Sequence, residues 1–366
     1  MKFCINTAVL SGVLNNIVKV IPAKPSAASL GYILFRSEGK ETITAQTTNT
    51  ELSFIASLNA SVQEEGAFGV AAANFVALLS NISDETVTLA VKDGKLVVSW
   101  STGRTTFPVY DEKDCAQVTR ASEGASTFSV DAADFTPALA AVIPFTANDE
   151  IRPNLCCVYF DQTDGHLSLV ATDSKSMVIS PVPFSSGSFT EGFLIRNTQL
   201  AAAKGVLPKK GTVTFRFSPL KAEMQADNIT AVFTLTAAKF PNYKAIIPKE
   251  STTPLVVARD AFLGSIKRVL VTAQEAHVKV VLSPDKVTLS SQDLGFGVLS
   301  SDNVVADYKG DDLTLGFKGG TLLSAVSAIA GNDARLSFVD PRRAVLVTSD
   351  KDIDSHPVVV LMPIAV

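Results

Sequence analysis

One amphipathic pattern occurs three times in this chain at nearly constant spacing. The first copy is an apolar helical face formed by Leu10, Leu14, Ile17 and Ile21. The two later copies are Phe135, Leu139 and Val142, and then Phe262, Ile266 and Val269. Leu10 and Phe135 are 125 residues apart, and Phe135 and Phe262 are 127 residues apart. A repeat of this length predicts three similar domains in series.

The segments after each helix repeat as well. A strand-like run and an alternating strand follow each copy, which is typical of antiparallel hairpins. The runs are YILF, CVYF and KVVL, and the alternating strands TITAQTTN, LSLVATD and VTLSSQD end on Asn49, Asp173 and Asp293. Each third then has a second apolar helical face, followed by more hairpin strands. These second faces begin at Phe75, Leu200 and Leu322.

The repeat predicts an α+β fold. Each third would have two helices packed on one side of antiparallel sheets, because a single apolar stripe needs a sheet to cover it. We expect domains at residues 1–122, 123–248 and 249–366, joined by the polar segments Arg120–Thr127 and Lys249–Pro254. Three such domains form an arc, and two arcs with complementary ends can close head to tail into a dimeric ring.

Composition sets limits on the class of protein. Hydrophobic residues make up 46% of the chain and charged residues 19%, as in a foldable soluble protein. The spacing of the four cysteines predicts neither a disulfide framework nor a zinc site. No apolar run reaches the roughly 18 residues of a membrane span. An amphipathic pattern follows Lys2 in place of the continuous apolar stretch of a signal peptide, so we expect a mature, cytoplasmic protein. The net charge of −4 argues against a general nucleic-acid coat but allows one positive surface.

No catalytic, metal or cofactor site is predicted. The three histidines, His166, His277 and His356, fall at unrelated places in the repeats and show no metal spacing. A phosphate-binding GxxxxGK[ST] loop does not occur. Asp173 and Asp293 recur at equivalent turns, which favours turn capping over acid–base chemistry. Two classes of protein remain open from the residues alone: a hydrolase built from the repeats, and a ring-shaped scaffold without a role on nucleic acid.

Several segments resemble one known family over the whole chain. The start MKF, the segment RPNLCCVYFDQTDGHLSLVATDSKSMVIS, the segment FPNYKAIIP and the end VVVLMPIAV look like the bacterial DNA polymerase III β subunits, the sliding clamps. The resemblance implies three DNA-clamp domains that dimerise head to tail around duplex DNA, with the helices toward the hole. It implies a non-catalytic processivity subunit with no cofactor and no membrane partner. The implied partners are double-stranded DNA, the DNA polymerase III catalytic subunit, the clamp loader, and other polymerases, mismatch-repair and ligase proteins that carry clamp-binding peptides.

A clamp must attract phosphates without reading bases, so cations on or just after the pore helices are the candidate DNA contacts. They are Lys19, Lys24, Arg152, Arg196, Lys204, Lys267 and Arg268. Lys19, Lys267 and Arg268 lie opposite the apolar stripe of their helix, which supports the assignment. For each single cation, an ordinary solvated surface charge is the alternative.

The resemblance also implies a pocket for partner peptides that carry a Gln and apolar anchors. Matched position by position, it comprises Leu155, Thr172, Ser174, Lys175, Met177, Pro241, Ile246, Val360, Met362, Pro363 and Ile364. A buried terminal strand is the alternative for residues 360–364. The chain has Ser174-Lys175-Ser176-Met177 and Ala365 where the family often has Gly-His-Arg-Leu and Arg, so we expect a less basic rim.

The dimer contact would join the first domain of one chain to the third domain of the other. We expect edge-strand pairing together with an apolar patch. Leu270 and Val271 are the candidates on one side and Phe107 on the other, with internal core as the alternative for each.

Overall fold

The computed structural model describes residues 1–122, 125–163, 165–248, 253–271, 277–293, 297–351 and 355–365, and the side chain of Asp293 is not among them. These residues form two compact units. The first comprises Met1–Ala133, Ser185–Phe189 and Thr198–Leu235, and the second Asp134–Phe184, Thr190–Asn197 and Thr236–Val366. Within the described ranges, no helix is long and apolar enough to cross a membrane.

The described residues form six α-helices and twenty-five strands. The helices are α1 (Thr7–Ile17), α2 (Ala72–Leu79), α3 (Ala132–Val142), α4 (Asn197–Ala203), α5 (Arg259–Leu270) and α6 (Gly319–Ala328). The strands of the first third are β1 (Lys2–Asn6), β2 (Tyr32–Glu38), β3 (Thr42–Thr48), β4 (Leu52–Asn59), β5 (Ser61–Glu64), β6 (Ala67–Ala71), β7 (Thr86–Lys92), β8 (Lys95–Trp100) and β9 (Gly103–Pro108). Those of the middle third are β10 (Ser126–Asp131), β11 (Cys157–Thr163), β12 (His166–Thr172), β13 (Ser176–Gly187), β14 (Phe193–Arg196), β15 (Thr212–Phe217), β16 (Lys221–Ala226) and β17 (Ile229–Thr234). Those of the last third are β18 (Leu255–Ala258), β19 (His277–Ser283), β20 (Lys286–Asp293), β21 (Val298–Asp307), β22 (Leu313–Lys318), β23 (Asp333–Ser337), β24 (Val345–Ser349) and β25 (Val358–Leu361).

The three thirds share one topology, as the sequence repeat predicts. In each, a strand leads into the first helix and pairs with a strand after the second helix: β1 with β7, β10 with β15, and β18 with β23. Each first helix is followed by the predicted hairpin, which is β2–β3, β11–β12 or β19–β20. All of these pairings are antiparallel, which confirms the α+β prediction with two helices in each third.

The apolar faces of the first helices form the core. Leu10, Leu14 and Ile17 are fully buried, and so are the equivalent residues of α3 and α5. The prediction was wrong for Ile21. Helix α1 ends at Ile17 and continues as a 3₁₀ turn over Val18–Val20, which places Ile21 beyond the helix and partly exposed.

The repeat extends to single hydrogen bonds. The hydroxyl of Thr47 on β3 donates to the carbonyl of Ile17 at the end of α1, at 2.7 Å. In the last third, the hydroxyl of Ser291 on β20 donates to the carbonyl of Val269 near the end of α5, at 2.5 Å. Both bonds give a carbonyl at the end of a helix a side-chain donor.

Neighbouring thirds are joined by pairing of edge strands, and there is one such joint in each compact unit. In the first unit β17 pairs with β4, with Val232 opposite Ser53. In the second unit β25 pairs with β13, with Val360 opposite Met177. Because β4 and β13 hold equivalent places in their thirds, and β17 and β25 do as well, the two joints are copies of one arrangement.

The predicted linker at Arg120–Thr127 makes specific contacts at its start. The guanidinium of Arg120 donates to both carboxylate oxygens of Glu223, at 3.2 and 2.8 Å, and the Ala121 amide donates to Glu223 at 2.8 Å. Glu223 is only 4% exposed, so these three donors satisfy a buried carboxylate and fix the start of the linker. Residues 123–124 of this linker, and residues 249–252 of the other, lie outside the described ranges.

Candidate functional site

A groove with a volume of about 370 Å³ lies in the second unit. Four segments form it: the loop after α3, the β12–β13 turn, the end of β22 with the first turn of α6, and the end of the chain. The lining residues are Thr146, Ala147, Asn148, Asp149, Arg152, Asp173, Ser174, Lys175, Phe317, Lys318, Thr321, Leu322, Leu361, Met362 and Ile364. The groove thus lies where the middle and last thirds meet.

Two backbone hydrogen bonds fix the end of the chain along this groove. The Met362 amide donates to the carbonyl of Lys175 at 2.8 Å, and the Ile364 amide donates to the carbonyl of Gly316 at 2.9 Å. Pro363, between them, has no amide proton to satisfy. Met362 is 44% exposed, so an apolar side chain on a fixed backbone is open to a ligand at this groove.

The β12–β13 turn brings Ser174 and Lys175 to the groove. Asp173 Oδ1 accepts from the amides of Lys175 and Ser176, at 2.9 and 2.6 Å, so Asp173 caps the turn as predicted. Ser174 has φ +77°, and its amide donates to the Thr172 hydroxyl at 3.1 Å. Asn49 caps the equivalent turn of the first third through the amides of Glu51 and Leu52. The proposed capping role of Asp293 falls outside the described side chains.

Arg152 connects two of the segments that form the groove. Its guanidinium donates to the Ser174 hydroxyl at 3.0 Å and to Asp149 at 3.1 Å. The hydrogen bond from Arg152 lowers the pKa of the Asp149 carboxyl below its usual value. Asp149 therefore remains ionised and paired at neutral pH, and the loop that carries both residues is tied to the β12–β13 turn.

The predicted pocket residues fall into three groups. Ser174, Lys175, Met362 and Ile364 line the groove. Met177 and Val360 are buried in an adjacent cluster with Phe240 and Tyr243, while Leu155 packs with Ala147 and Cys156, and Thr172 is buried in the turn. Pro241, Ile246 and Pro363 do not line the groove. Pro241 and Ile246 are exposed, and Pro363 is partly exposed.

The adjacent cluster holds the FPNY segment against the paired strands. The rings of Tyr159 and Phe240 stack with centroids 4.9 Å apart, and the Tyr243 hydroxyl donates to Asp161 at 2.7 Å. Burial raises the pKa of Tyr243 above its usual value, so this donor keeps its proton. The role of Met177 and Val360 in the structure is thus to support the strands that carry Lys175 and Met362.

Sequence reasoning missed the groove residues on β22 and α6. These include Phe317, Lys318, Thr321 and Leu322. One signal was present, because Leu322 belongs to the apolar face predicted for the last helix, so its neighbours in the first turn had to lie close to the core. What the sequence did not show is that this turn faces the end of the chain.

The predicted DNA-contacting cations differ in their ion pairs. Arg196 lies 3.2 Å from Glu150, Arg268 Nε lies 2.7 Å from Asp302, and Arg152 pairs with Asp149 as above. Lys24, Lys204 and Lys267 are exposed, and across the described residues no carboxylate lies within 4.0 Å of them or of Lys19. Lys19 donates to Asn16 at 3.1 Å and lies beside Gly205, next to Lys204. The structure therefore brings together two lysines from different thirds.

The predicted dimer-contact residues differ in exposure. Val271 is 77% exposed, whereas Leu270 is mostly buried at the end of α5. Phe107 on β9 is partly exposed and packs edge-to-face on Phe75, with ring centroids 5.8 Å apart. No group of three or more His, Cys, Asp or Glu side chains that could hold a metal ion occurs among the residues that the structure describes.

Comparison with known proteins agrees with this architecture. The DNA polymerase sliding clamp of Bacillus subtilis matches with a TM-score of 0.92 at 18% identity, covering 100% of this chain and 99% of that one. A Bartonella birtlesii sliding clamp, solved with bound griselimycin, matches with a TM-score of 0.91 at 18% identity over 100% of both chains. The chain therefore has the sliding-clamp fold.

Sequence comparison identifies the family. The DNA polymerase III beta subunit N-terminal domain matches residues 1–116, and the C-terminal domain of the same subunit matches residues 244–364. Curated relatives include the beta sliding clamps of Caulobacter vibrioides, 24% identical over 100% of both chains, and Treponema pallidum, 21% identical over 94% of both. The two domain matches span nearly two thirds of the chain, which belongs to the DNA polymerase III beta subunit family.

Proposed function

We propose that this chain is a DNA sliding clamp. Two copies would form a non-catalytic ring around duplex DNA and tether the replicative DNA polymerase to its template. One observation carries the proposal. The same strand pairing joins neighbouring thirds in each compact unit, and the first and last thirds each have one equivalent strand edge that makes no such pairing among the described residues.

The unused strands are β9 and the first part of β21. By topology, β9 is the equivalent of β17 and β25, and β21 is the equivalent of β4 and β13. Among the described residues, β9 pairs only with β8, and residues 298–305 of β21 pair only with β20. Leu299 on this edge is 74% exposed. An unpaired strand edge with exposed apolar side chains is a template for another chain.

The two internal joints supply a register for the missing one. Thr106 follows the β8–β9 turn as Val232 follows the β16–β17 turn, and Leu299 follows the β20–β21 turn as Ser53 follows the β3–β4 turn. Since Val232 lies opposite Ser53, we expect Thr106 of one chain opposite Leu299 of the other. Phe107 would then face Val298, near the end of α5 where Val271 is exposed.

Two such contacts would close a ring of six domains, for which we keep the proposed limits of 1–122, 123–248 and 249–366 in each chain. A closed ring holds DNA by topology, so its inner surface needs only weak attraction to phosphates. Lys19 and Lys204, which lack carboxylate partners among the described residues, suit that role. Lys24 and Lys267 are similar candidates, whereas Arg152, Arg196 and Arg268 would first have to exchange an ion pair for a phosphate.

The groove is the proposed docking site for partner proteins. Its apolar lining, with Leu361, Met362 and Ile364, suits a short extended segment with apolar anchors. Burial of one Leu or Phe anchor is worth about 1.5–3 kcal/mol, which allows partners to exchange. The expected partners are the DNA polymerase III catalytic subunit, the clamp loader, and other polymerases, mismatch-repair and ligase proteins. A clamp that acts on the bacterial chromosome acts in the cytoplasm.

Primer extension on a circular template tests this function. The catalytic subunit of DNA polymerase III and the clamp loader from the same bacterium are supplied with ATP, with and without this chain. The product of a single binding event should lengthen only when the chain is present. Product lengths that do not change with this chain would contradict the proposal and favour a ring-shaped scaffold without a role on DNA.

A further inference from the structure

A second cavity, with a volume of about 770 Å³, lies in the first unit. It forms where the first and middle thirds meet, along the paired strands β3, β4, β17 and β16. Thr44 lies opposite Ser57 across the β3–β4 pair, and Ile55 lies opposite Thr230 across the joint. These four residues share one face of the sheet and line the cavity.

Two acidic side chains of this cavity have no basic partner in the described part of the chain. Glu38 at the end of β2 and Asp227 in the β16–β17 turn both line it and are exposed. Across the described residues, no basic group lies within 4.0 Å of either carboxylate. Arg120 also lines the cavity, but its guanidinium donates to both carboxylate oxygens of Glu223. The cavity therefore presents two carboxylates that the protein does not neutralise.

A buried polar side chain of the cavity is also without a partner. Thr44 is only 8% exposed, and its hydroxyl makes no hydrogen bond to another described residue. Most buried polar groups of folded proteins are hydrogen-bonded, so a free one that lines a cavity points to a ligand. The side chains of Gln225 and Thr230 line the same cavity and likewise have no hydrogen-bond partner within the described ranges. A ligand would thus find hydrogen-bonding groups beside the two carboxylates.

The strand order sets the spacing of the two acids. Strands β3 and β4 lie between β2, which carries Glu38, and β17, which begins after the turn that holds Asp227. Three steps of about 4.8 Å between neighbouring strands place the two backbones about 14 Å apart. An extended chain advances about 3.4 Å per residue, so positions i and i+4 of such a chain span the same distance. Two basic side chains at this spacing would reach both carboxylates.

We propose that this cavity binds an extended basic segment of a partner protein, with Arg or Lys side chains four residues apart on Glu38 and Asp227. The charge of the cavity favours this occupant because both carboxylates are unpaired and Arg120 is held by Glu223. The Thr44 hydroxyl would bond to the segment between its two basic residues. This interaction goes beyond the proposed clamp function and uses none of the groove residues.

The test titrates the intact chain with the synthetic peptide Gly-Arg-Ser-Gly-Ser-Arg-Gly and follows binding by calorimetry. At low salt this spaced peptide should bind about three- to tenfold more tightly than the same peptide with Gln for both Arg, as expected for two exposed ion pairs. It should also bind more tightly than a peptide of the same composition in which the two Arg are adjacent. Equal binding of the three peptides would overturn the proposal. Displacement of the spaced peptide by spermidine at the same concentration would overturn it too, because the site would then take any polyamine.

Charge-neutral variants assign the binding to residues. Glu38→Gln with Asp227→Asn should abolish the preference for Arg over Gln, and asparagine tolerates the φ of +48° at Asp227. The matched control is Glu64→Gln with Asp93→Asn, at two exposed acids outside the cavity, where Asp93 also has φ +48°. A preference that survives in the first double variant, or that is lost in the control, would overturn the proposal. Thr44→Val should weaken binding of the spaced peptide about two- to tenfold, the loss of one hydrogen bond, and unchanged binding would contradict a ligand seated on this residue.

Discussion

The amide of Met362 donates a 2.8 Å hydrogen bond to the carbonyl of Lys175, and the first joint contains the same bond between the Thr234 amide and the Glu51 carbonyl. The two joints differ in the helix beside them. In the first, the Gln199 side chain of α4 donates to the Thr234 carbonyl at 3.3 Å and is 5% exposed. At the equivalent position of α6 the chain has Thr321, which lines the groove. The shorter side chain leaves room for a ligand at the second joint.

This difference predicts the effect of Thr321→Gln. A glutamine at this position should occupy the groove as Gln199 occupies the first joint. It should weaken binding of a peptide with Gln, Leu and Phe anchors by roughly ten- to a hundredfold, the loss of about one hydrophobic anchor. Fluorescence anisotropy with a labelled peptide measures the change. Thr321→Ser is the matched control and should bind normally. Unchanged binding by the Gln variant would show that this turn of α6 is not part of the peptide site.

Met362→Glu should abolish binding of the same peptide. The variant replaces the exposed apolar surface with a charge, whereas the backbone hydrogen bond to Lys175 does not depend on the side chain. Urea unfolding should therefore shift little, as for most exposed substitutions. Leu220→Glu, at an exposed apolar residue in the first unit, is the control. Peptide affinity that is equal in the two variants would remove Met362 from the site.

The register of the proposed dimer contact can be tested with cysteine pairs. Thr106→Cys together with Leu299→Cys should give a covalent dimer on mild oxidation, because directly opposed residues of antiparallel strands lie about 4.5–5.5 Å apart between Cα atoms. The native Cys115, Cys156 and Cys157 are buried, and burial raises the pKa of Cys115 to about 11, so its thiol stays protonated at pH 8. Cys4 is partly exposed and is replaced by Ser in every variant.

The control for this register is Thr106→Cys with Ser300→Cys. Ser300 is one residue further along β21, so its side chain points to the opposite face of the strand. This pair should remain uncrosslinked on denaturing gels. More crosslinking here than in the Leu299 pair would show that the internal joints do not supply the register of the dimer.

Reversing the charge of Lys19 and Lys204 should weaken attraction to DNA. The double variant with Glu at both positions should lower affinity for duplex DNA, and the slope of log affinity against log salt should fall by roughly 0.9 for each phosphate that the protein no longer neutralises. The control has Glu in place of Lys92 and Lys95 on the β7–β8 hairpin, so the net charge changes by the same amount as in the test variant. An equal decrease in affinity in the two double variants would indicate an effect of total charge and would contradict a local contact.

The sequence predicts the fold well because its helices recur with the same apolar spacing. It predicts helix ends less well, as Ile21 shows, since apolar spacing continues past the point where α1 tightens into a 3₁₀ turn. Only some of the residues that line the groove could be predicted from the sequence. Ser174 and Met362 follow from the resemblance, but Lys318 and Thr321 come from a helix start whose place opposite the end of the chain depends on strand pairing between distant segments.

Retention on circular against linear DNA tests the central claim most directly. The chain is loaded by a clamp loader with ATP onto a nicked circular plasmid, separated from free protein by gel filtration in moderate salt, and then followed after the plasmid is cut once. A ring that encircles DNA should stay with the nicked circle and leave the linear product by sliding off its ends. Equal retention on the circular and linear forms would contradict encirclement and with it the proposed function.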